Sequence, residues 1–132
     1  MTNLQITTRD YIERIIRANN PPSFEQIKDL YKQLKRDQYF GDARKLIGHY
    51  RDYHRIHMDT EVDKQLWRDL THWYSLCTYK DVDLSPSTRF DAALKILGEL
   101  GDVTQTKDQE TLGQAGGIFK NRWEIFNFAS LL

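Results

Sequence analysis

Cysteine is almost missing from this sequence. Cys77 stands alone, so no internal disulfide can form and no second thiol exists for a redox pair or a cysteine-rich zinc site. Its expected role is that of a small apolar residue buried in a helix. Long hydrophobic runs are missing as well: no eighteen consecutive residues are apolar, and residues 1–10 lack the basic and apolar regions of a signal peptide. The sequence therefore supports neither a membrane span nor export, and the cytoplasm is the expected location. Net charge is missing too, since 19 Lys and Arg balance 19 Asp and Glu. A specific nucleic-acid binder is more usually basic overall, which argues against that class of partner. The balance hides an asymmetry, because residues 1–58 hold eleven basic against seven acidic residues and residues 59–132 hold eight against twelve. Halves of about +4 and −4 make a lengthwise dipole that favours head-to-tail contacts.

What the chain does have is helical periodicity from end to end. Its 132 residues suit one domain, which could also be the N-terminal part of a longer solenoid. After a loose lead-in over residues 1–6, Thr8 is placed to cap a helix over 9–18 carrying Tyr11, Ile12, Ile15 and Ile16. Pro21 and Pro22 end it. Ser23 with Gln26 three positions on forms a capping box for a helix over 24–37, with Ile27, Leu30, Tyr31 and Leu34 on its inner face. A turn at 38–41 leads to a helix over 42–58, lined by Phe40, Ala43, Ile47 and Tyr50. Asp59 or Thr60 caps a third long helix over 62–78, with Val62, Leu66, Leu70, Trp73, Tyr74 and Cys77 on its stripe. Ser85 and Pro86 open the next, whose core face is Phe90, Ala93, Leu94 and Leu97 and which closes at Gly98 or Gly101.

The segment 109–124 organises the rest. Leu112, Ala115, Phe119 and Trp123 recur at helical spacing behind a cap at Thr106 or Asp108, with Gly113, Gly116 and Gly117 between them. A helix-interior glycine costs about 1 kcal/mol relative to alanine, so the expectation is that a neighbouring helix passes too close for side chains. A phosphate-binding loop would follow a strand and end in Lys-Ser or Lys-Thr, and neither is present. Beyond it the chain stays apolar through residues 125–132. Two explanations compete: a solenoid that continues, or a tail packed on this domain or on a second copy, giving a homodimer.

Ala115 and Gly116 followed by Phe119 resemble the first helix of a tetratricopeptide-type repeat, in which a small residue admits the paired helix. The spacing from Leu30 to Ala43 fits the same unit, with Tyr31 standing where a small residue is expected. Phe90 with Ala93 repeats Phe40 with Ala43 about fifty residues on, longer than the usual thirty-four. More narrowly, the run 109–113 with Gly116, Ile118, Phe119, Lys120 and Trp123 is similar to the TRAF-binding region of apoptosis-signal-regulating kinases and its bacterial relatives. Tyr79, Lys80 and Asp81 with Arg89, Phe90, Asp91, Ala93, Leu94, Ile96 and Leu97 extend the likeness over residues 70–124. The resemblance implies an all-α right-handed stack of about six helices, a regulatory region without a catalytic site of its own or a cofactor.

Candidate chemistry is sparse. His49, His54 and His57 share one predicted helix near Asp52, Asp59 and Glu61, but not at zinc-protease spacing, so no metal is expected. The acidic residues Asp81, Asp83, Asp91 and Asp102 lack calcium-loop spacing. Arg51-Asp52, four residues and His57 are similar to the signature of HEPN-class ribonucleases, dimeric metal-free helical enzymes in which the histidine moves a proton and the arginine steadies phosphorane charge. That is the alternative to the first reading, a non-catalytic interaction module whose partner is another protein or a domain of the same parent chain. For the module, the binding groove is expected along the first helix of each pair: Lys28, Lys32 and Lys35, then Arg68 and His72, then Gln114 and Lys120.

Overall fold

The computed structural model describes the backbone of residues 3–18, 22–55, 59–101 and 107–130, and side chains within them from 6 to 126. Among these residues the chain forms six helices and no strand: α1 (Asn3–Ala18), α2 (Phe24–Arg36), α3 (Phe40–Arg55), α4 (Glu61–Lys80), α5 (Pro86–Gly98) and α6 (Gln109–Ser130). The fold is all-α, with consecutive helices from α2 onward packed as hairpins. Two layers emerge from the contacts between non-neighbours. Helix α4 reaches α6, and Trp73 of α4 stacks on Phe24 and Tyr31 of α2 at 5.9 and 4.6 Å, so α2, α4 and α6 share one layer. Helices α1 and α3 pack in the other, which α5 joins through an ion pair between Arg51 and Glu99 just past its end. No helix among the described residues is long and apolar enough to cross a membrane.

Local chemistry explains most boundaries. Ser23 accepts from the Gln26 backbone at 3.4 Å while the Gln26 side chain accepts from the Ser23 backbone at 3.2 Å, and Thr60 and Asp63 do the same for α4. Pro86 opens α5, where its missing N–H is not needed, as expected. Between α2 and α3 the backbone closes through Tyr39 N to Leu34 O at 2.8 Å and Gln38 N to Lys35 O at 3.1 Å, with Gln38 at φ 61°. That is the hydrogen-bond pattern of a Schellman turn with glutamine in the left-handed position glycine usually fills. Gly41, expected in this turn, belongs to α3 instead, where a Cβ would lie 3.3 Å from an Asp81 carboxylate oxygen.

The lead-in is corrected: residues 3–6 are already helical, so Thr8 lies inside α1 rather than capping it. The expected core stripes of α2, α3 and α5 are the buried ones, with Ile27, Leu34, Ala43, Ile47, Ala93 and Leu97 each at 0–1 % exposure. Each such aliphatic side chain larger than alanine contributes about 1.5–3 kcal/mol by leaving water. Val62 does not join the stripe of α4; at 77 % exposure it faces solvent in the first turn. Tyr31 is buried, and its ring spaces α2 from α4 by stacking on Trp73 where a small residue would have let the helices touch. Cys77 is fully buried and its thiol is pushed up to about 12 by burial, so it stays protonated and unreactive.

Charged residues are also drawn into the stack. Asp42, 4 % exposed, pairs with Arg9 of α1 at 2.9 Å, and Asp81, 2 % exposed, pairs with Arg44 of α3 at 2.9 Å. These pairs fasten α1 and the α4–α5 turn onto α3. Burial of the carboxylates is tolerated because each has a guanidinium against it.

Candidate functional site

The structure reverses the reading of α6. Its buried positions are Thr111, Ala115 and Ile118, with Ile125 half-buried; Ala115, Ile118 and Ile125 pack with Phe90, Ala93 and Leu97 of α5. Leu112, Phe119, Trp123 and Phe126 lie on a neighbouring face and are 40, 48, 66 and 44 % exposed. Gly116 shares that outer face. A Cβ at Gly113 or Gly116 would meet nothing within 4 Å, and one at Gly117 only the Tyr79 hydroxyl at 4.0 Å. Among the described residues no helix approaches tightly at Gly116, whereas Ala43 and Ala93 are buried as expected. The tail continues the helix to Ser130, its side chains from residue 127 on lying outside the described residues.

The residues assigned to a groove differ in exposure. Lys32, Lys35, Arg68 and Lys120 are exposed, Lys28 and Gln114 half-buried. His72, expected on the groove side, is largely interior at 3 % exposure. It does share a polar cavity of about 300 Å³ with Arg68, beside Gln65, Leu100, Asp108, Glu110 and Thr111. There the Thr111 hydroxyl donates to Asp108 Oδ2 at 2.5 Å and so accepts from His72 Nε2 at 2.8 Å. That fixes the proton of a neutral ring on Nε2 and leaves Nδ1 facing Glu110 at 3.7 Å. Thr111 is 1 % exposed. The cluster is a fastening of α4 to the start of α6, which no sequence spacing could reveal because His72 and Thr111 stand 39 residues apart.

The same cluster sets a pH dependence. The Thr111 hydrogen bond, with help from backbone N–H groups and His72, holds the Asp108 carboxyl below its ordinary 3.8. A depressed folded pKa gives a contribution that is complete above the unfolded value and lost as pH falls through the folded one. Asp108→Asn is therefore expected to cost most above pH 4 and to converge with the parent below it. Urea melts of both proteins between pH 2.5 and 7 read this out. A constant difference across that range would show that the carboxylate charge plays no part.

Arg51 occupies a different setting from the one a ribonuclease needs. It is 3 % exposed, donates from Nε to Thr71 Oγ1 at 2.9 Å, pairs with Glu99, and lies over the Trp67 ring at 4.8 Å. Asp52 beside it is solvated, with its carboxylate 3.7 Å from the guanidinium. His57 lies outside the described residues. The guanidinium that should steady an RNA phosphorane is thus enclosed between helices. Of the other histidines, His54 lies against the rings of Tyr50 and Tyr53, and no group of three metal-ligating side chains assembles among the described residues.

No protein-family model matches this chain, and neither a curated protein nor a solved structure does.

Proposed function

We propose that the chain is a non-catalytic protein-interaction module of the helical-repeat type, related to tetratricopeptide-like stacks, with the outer face of α6 as its contact surface. The observation that carries this reading is the placement of Leu112, Phe119, Trp123 and Phe126 on one exposed face of a helix whose other apolar face is already buried. A core needs only one of the two faces, and exposed apolar stripes on stable helices mark contacts with other chains. The two-layer arrangement, with α2, α4 and α6 side by side, supports the repeat analogy. The regulatory role and the partner, another protein or a domain of the same parent chain, follow from that analogy, as does a cytoplasmic setting. The packing of Arg51 against Trp67 favours this reading over the ribonuclease alternative.

Photo-crosslinking tests the reading. A benzophenone amino acid replacing Phe119 is expected to give discrete adducts in cells, while the same group replacing Lys32 on the basic face of α2 gives none. Adducts from the Lys32 position alone would move the contact surface to α2. Absence of adducts at both would overturn the module.

A further inference from the structure

The exposed residues of α6 are spaced four, three, four and three apart: Leu112, Gly116, Phe119, Trp123 and Phe126. At 100° per residue they fall within an arc of about 80°, the narrow seam that a coiled-coil helix presents, not the broad face of a core helix. Resting on the interaction-module reading, we infer that the occupant of this seam is the same helix of a second copy, packed antiparallel so that Gly116 of each copy faces Phe119 of the other.

Three observations select that occupant. First, no described residue explains the glycine, since a Cβ at Gly116 would touch nothing within 4 Å, yet it sits in the middle of the seam. In the antiparallel register that pairs Gly116 with Phe119, Leu112 pairs with Trp123, so each layer sets a smaller side chain against a larger one. A parallel pair would set Gly116 against Gly116 and Trp123 against Trp123, a hole beside a collision. Second, the flanks carry no opposed like charges. Lys120 of one copy lies toward Gly113 of the other, and Arg122 lies past Ala115 toward Asp108. Lys120 and Arg122 are moreover already paired within each copy, to Glu124 at 4.0 Å and Asp91 at 3.4 Å. Third, the area is that of a modest homodimer. With side chains of about 150–250 Å² exposed by two-fifths to two-thirds, the four apolar residues offer roughly 400 Å² per copy, or roughly 800 Å² for the pair. The seam alone thus falls below the roughly 1,200 Å² at which stable interfaces begin, as suits a pair in exchange with its monomers.

Sedimentation velocity on the purified chain from about 1 to 500 μM is expected to show a concentration-dependent monomer–dimer equilibrium. Gly116→Leu fills open space in the monomer, so its thermal midpoint is expected to stay level or rise while its dimer dissociation constant increases at least about tenfold. Phe119→Ala is expected to weaken the dimer similarly. Orientation is read by oxidation: the double variant Gly116→Cys with Phe119→Cys is expected to link far faster than either single variant, and buried Cys77 does not compete. A chain that stays monomeric at every concentration, or a dimer indifferent to Gly116→Leu, overturns the self-pairing. Monomer that still yields heterologous adducts from the Phe119 position overturns it too, while leaving the module intact. Single-variant linkage as fast as the double would replace the antiparallel register with a parallel one.

Discussion

Arg51→Ala is expected to destabilise the fold by about 3 kcal/mol, a loss large enough to raise the unfolded fraction more than a hundredfold. The guanidinium joins three helices at once: it belongs to α3, bonds Thr71 and covers Trp67 of α4, and pairs with Glu99 at the end of α5. Tyr74 lies on it as well, with its ring 5.7 Å away. Burial lowers the pKa of Arg51, yet arginine remains charged at neutral pH, so the site is built around a cation. Alanine removes that cation together with a long apolar stem and leaves a void between aromatic rings. Arg51→Met refills the volume without a charge and is expected to cost about 1 kcal/mol, because replacing a buried ion by a well-packed apolar residue is often nearly neutral. Arg51→Lys keeps the charge but cannot donate to Thr71 and Glu99 from one planar fork, and falls between the two. Urea unfolding gives the order. An Arg51→Ala protein that unfolds within about 0.5 kcal/mol of the parent would return the arginine to the list of catalytic candidates.

How far the sequence could lead depends on the type of signal. Capping boxes are local, so Ser23 with Gln26 and the start of α4 at Thr60 were readable from residues three apart. Apolar stripes that stand alone on a helix were readable too, as in α2 and α5. Helix α6 defeats the same method because it carries two stripes at similar spacing. The outer one, with Leu112, Phe119 and Trp123, is the more hydrophobic, while the inner one includes Thr111 and Ala115 and passes through Arg122. Periodicity establishes that a helix is amphipathic and leaves open which stripe meets the core. Buried charge was invisible for another reason. Asp42, Arg51 and Asp81 find partners 20 to 48 residues away through the stacking of helices, and no window along the chain contains both members of a pair. His72 and Arg51 were named from the sequence, but their partners Thr111, Thr71 and Glu99 belong to this class.

Gly48→Val is expected to be as damaging as the loss of Arg51, at about 3 kcal/mol, although it adds carbon to a helix. Glycine weakens a helix by about 1 kcal/mol relative to alanine, so on propensity alone the substitution is favourable. At this position propensity loses to packing. Gly48 is buried where α3 crosses α4, and a Cβ there would stand 3.0 Å from Tyr74 Cε1 and 3.1 Å from Cζ. The tyrosine ring has little room to retreat, because the Arg51 guanidinium lies over it and is itself anchored to Thr71. Alanine asks the ring to move by a few tenths of an ångström and is expected to cost about 1 kcal/mol net, while the branched methyls of valine force the helices apart. Gly113→Ala, at a site where nothing lies within 4 Å, is expected to stabilise by about 0.5–1 kcal/mol. Opposite signs from one residue type separate a contact effect from a propensity effect, and a double-mutant cycle of Gly48→Ala with Tyr74→Ala assigns it, with an expected coupling of about 1 kcal/mol. If Gly48→Val and Gly113→Ala both stabilise, α3 and α4 do not cross at Tyr74, and the enclosure of Arg51, which depends on that crossing, fails with it.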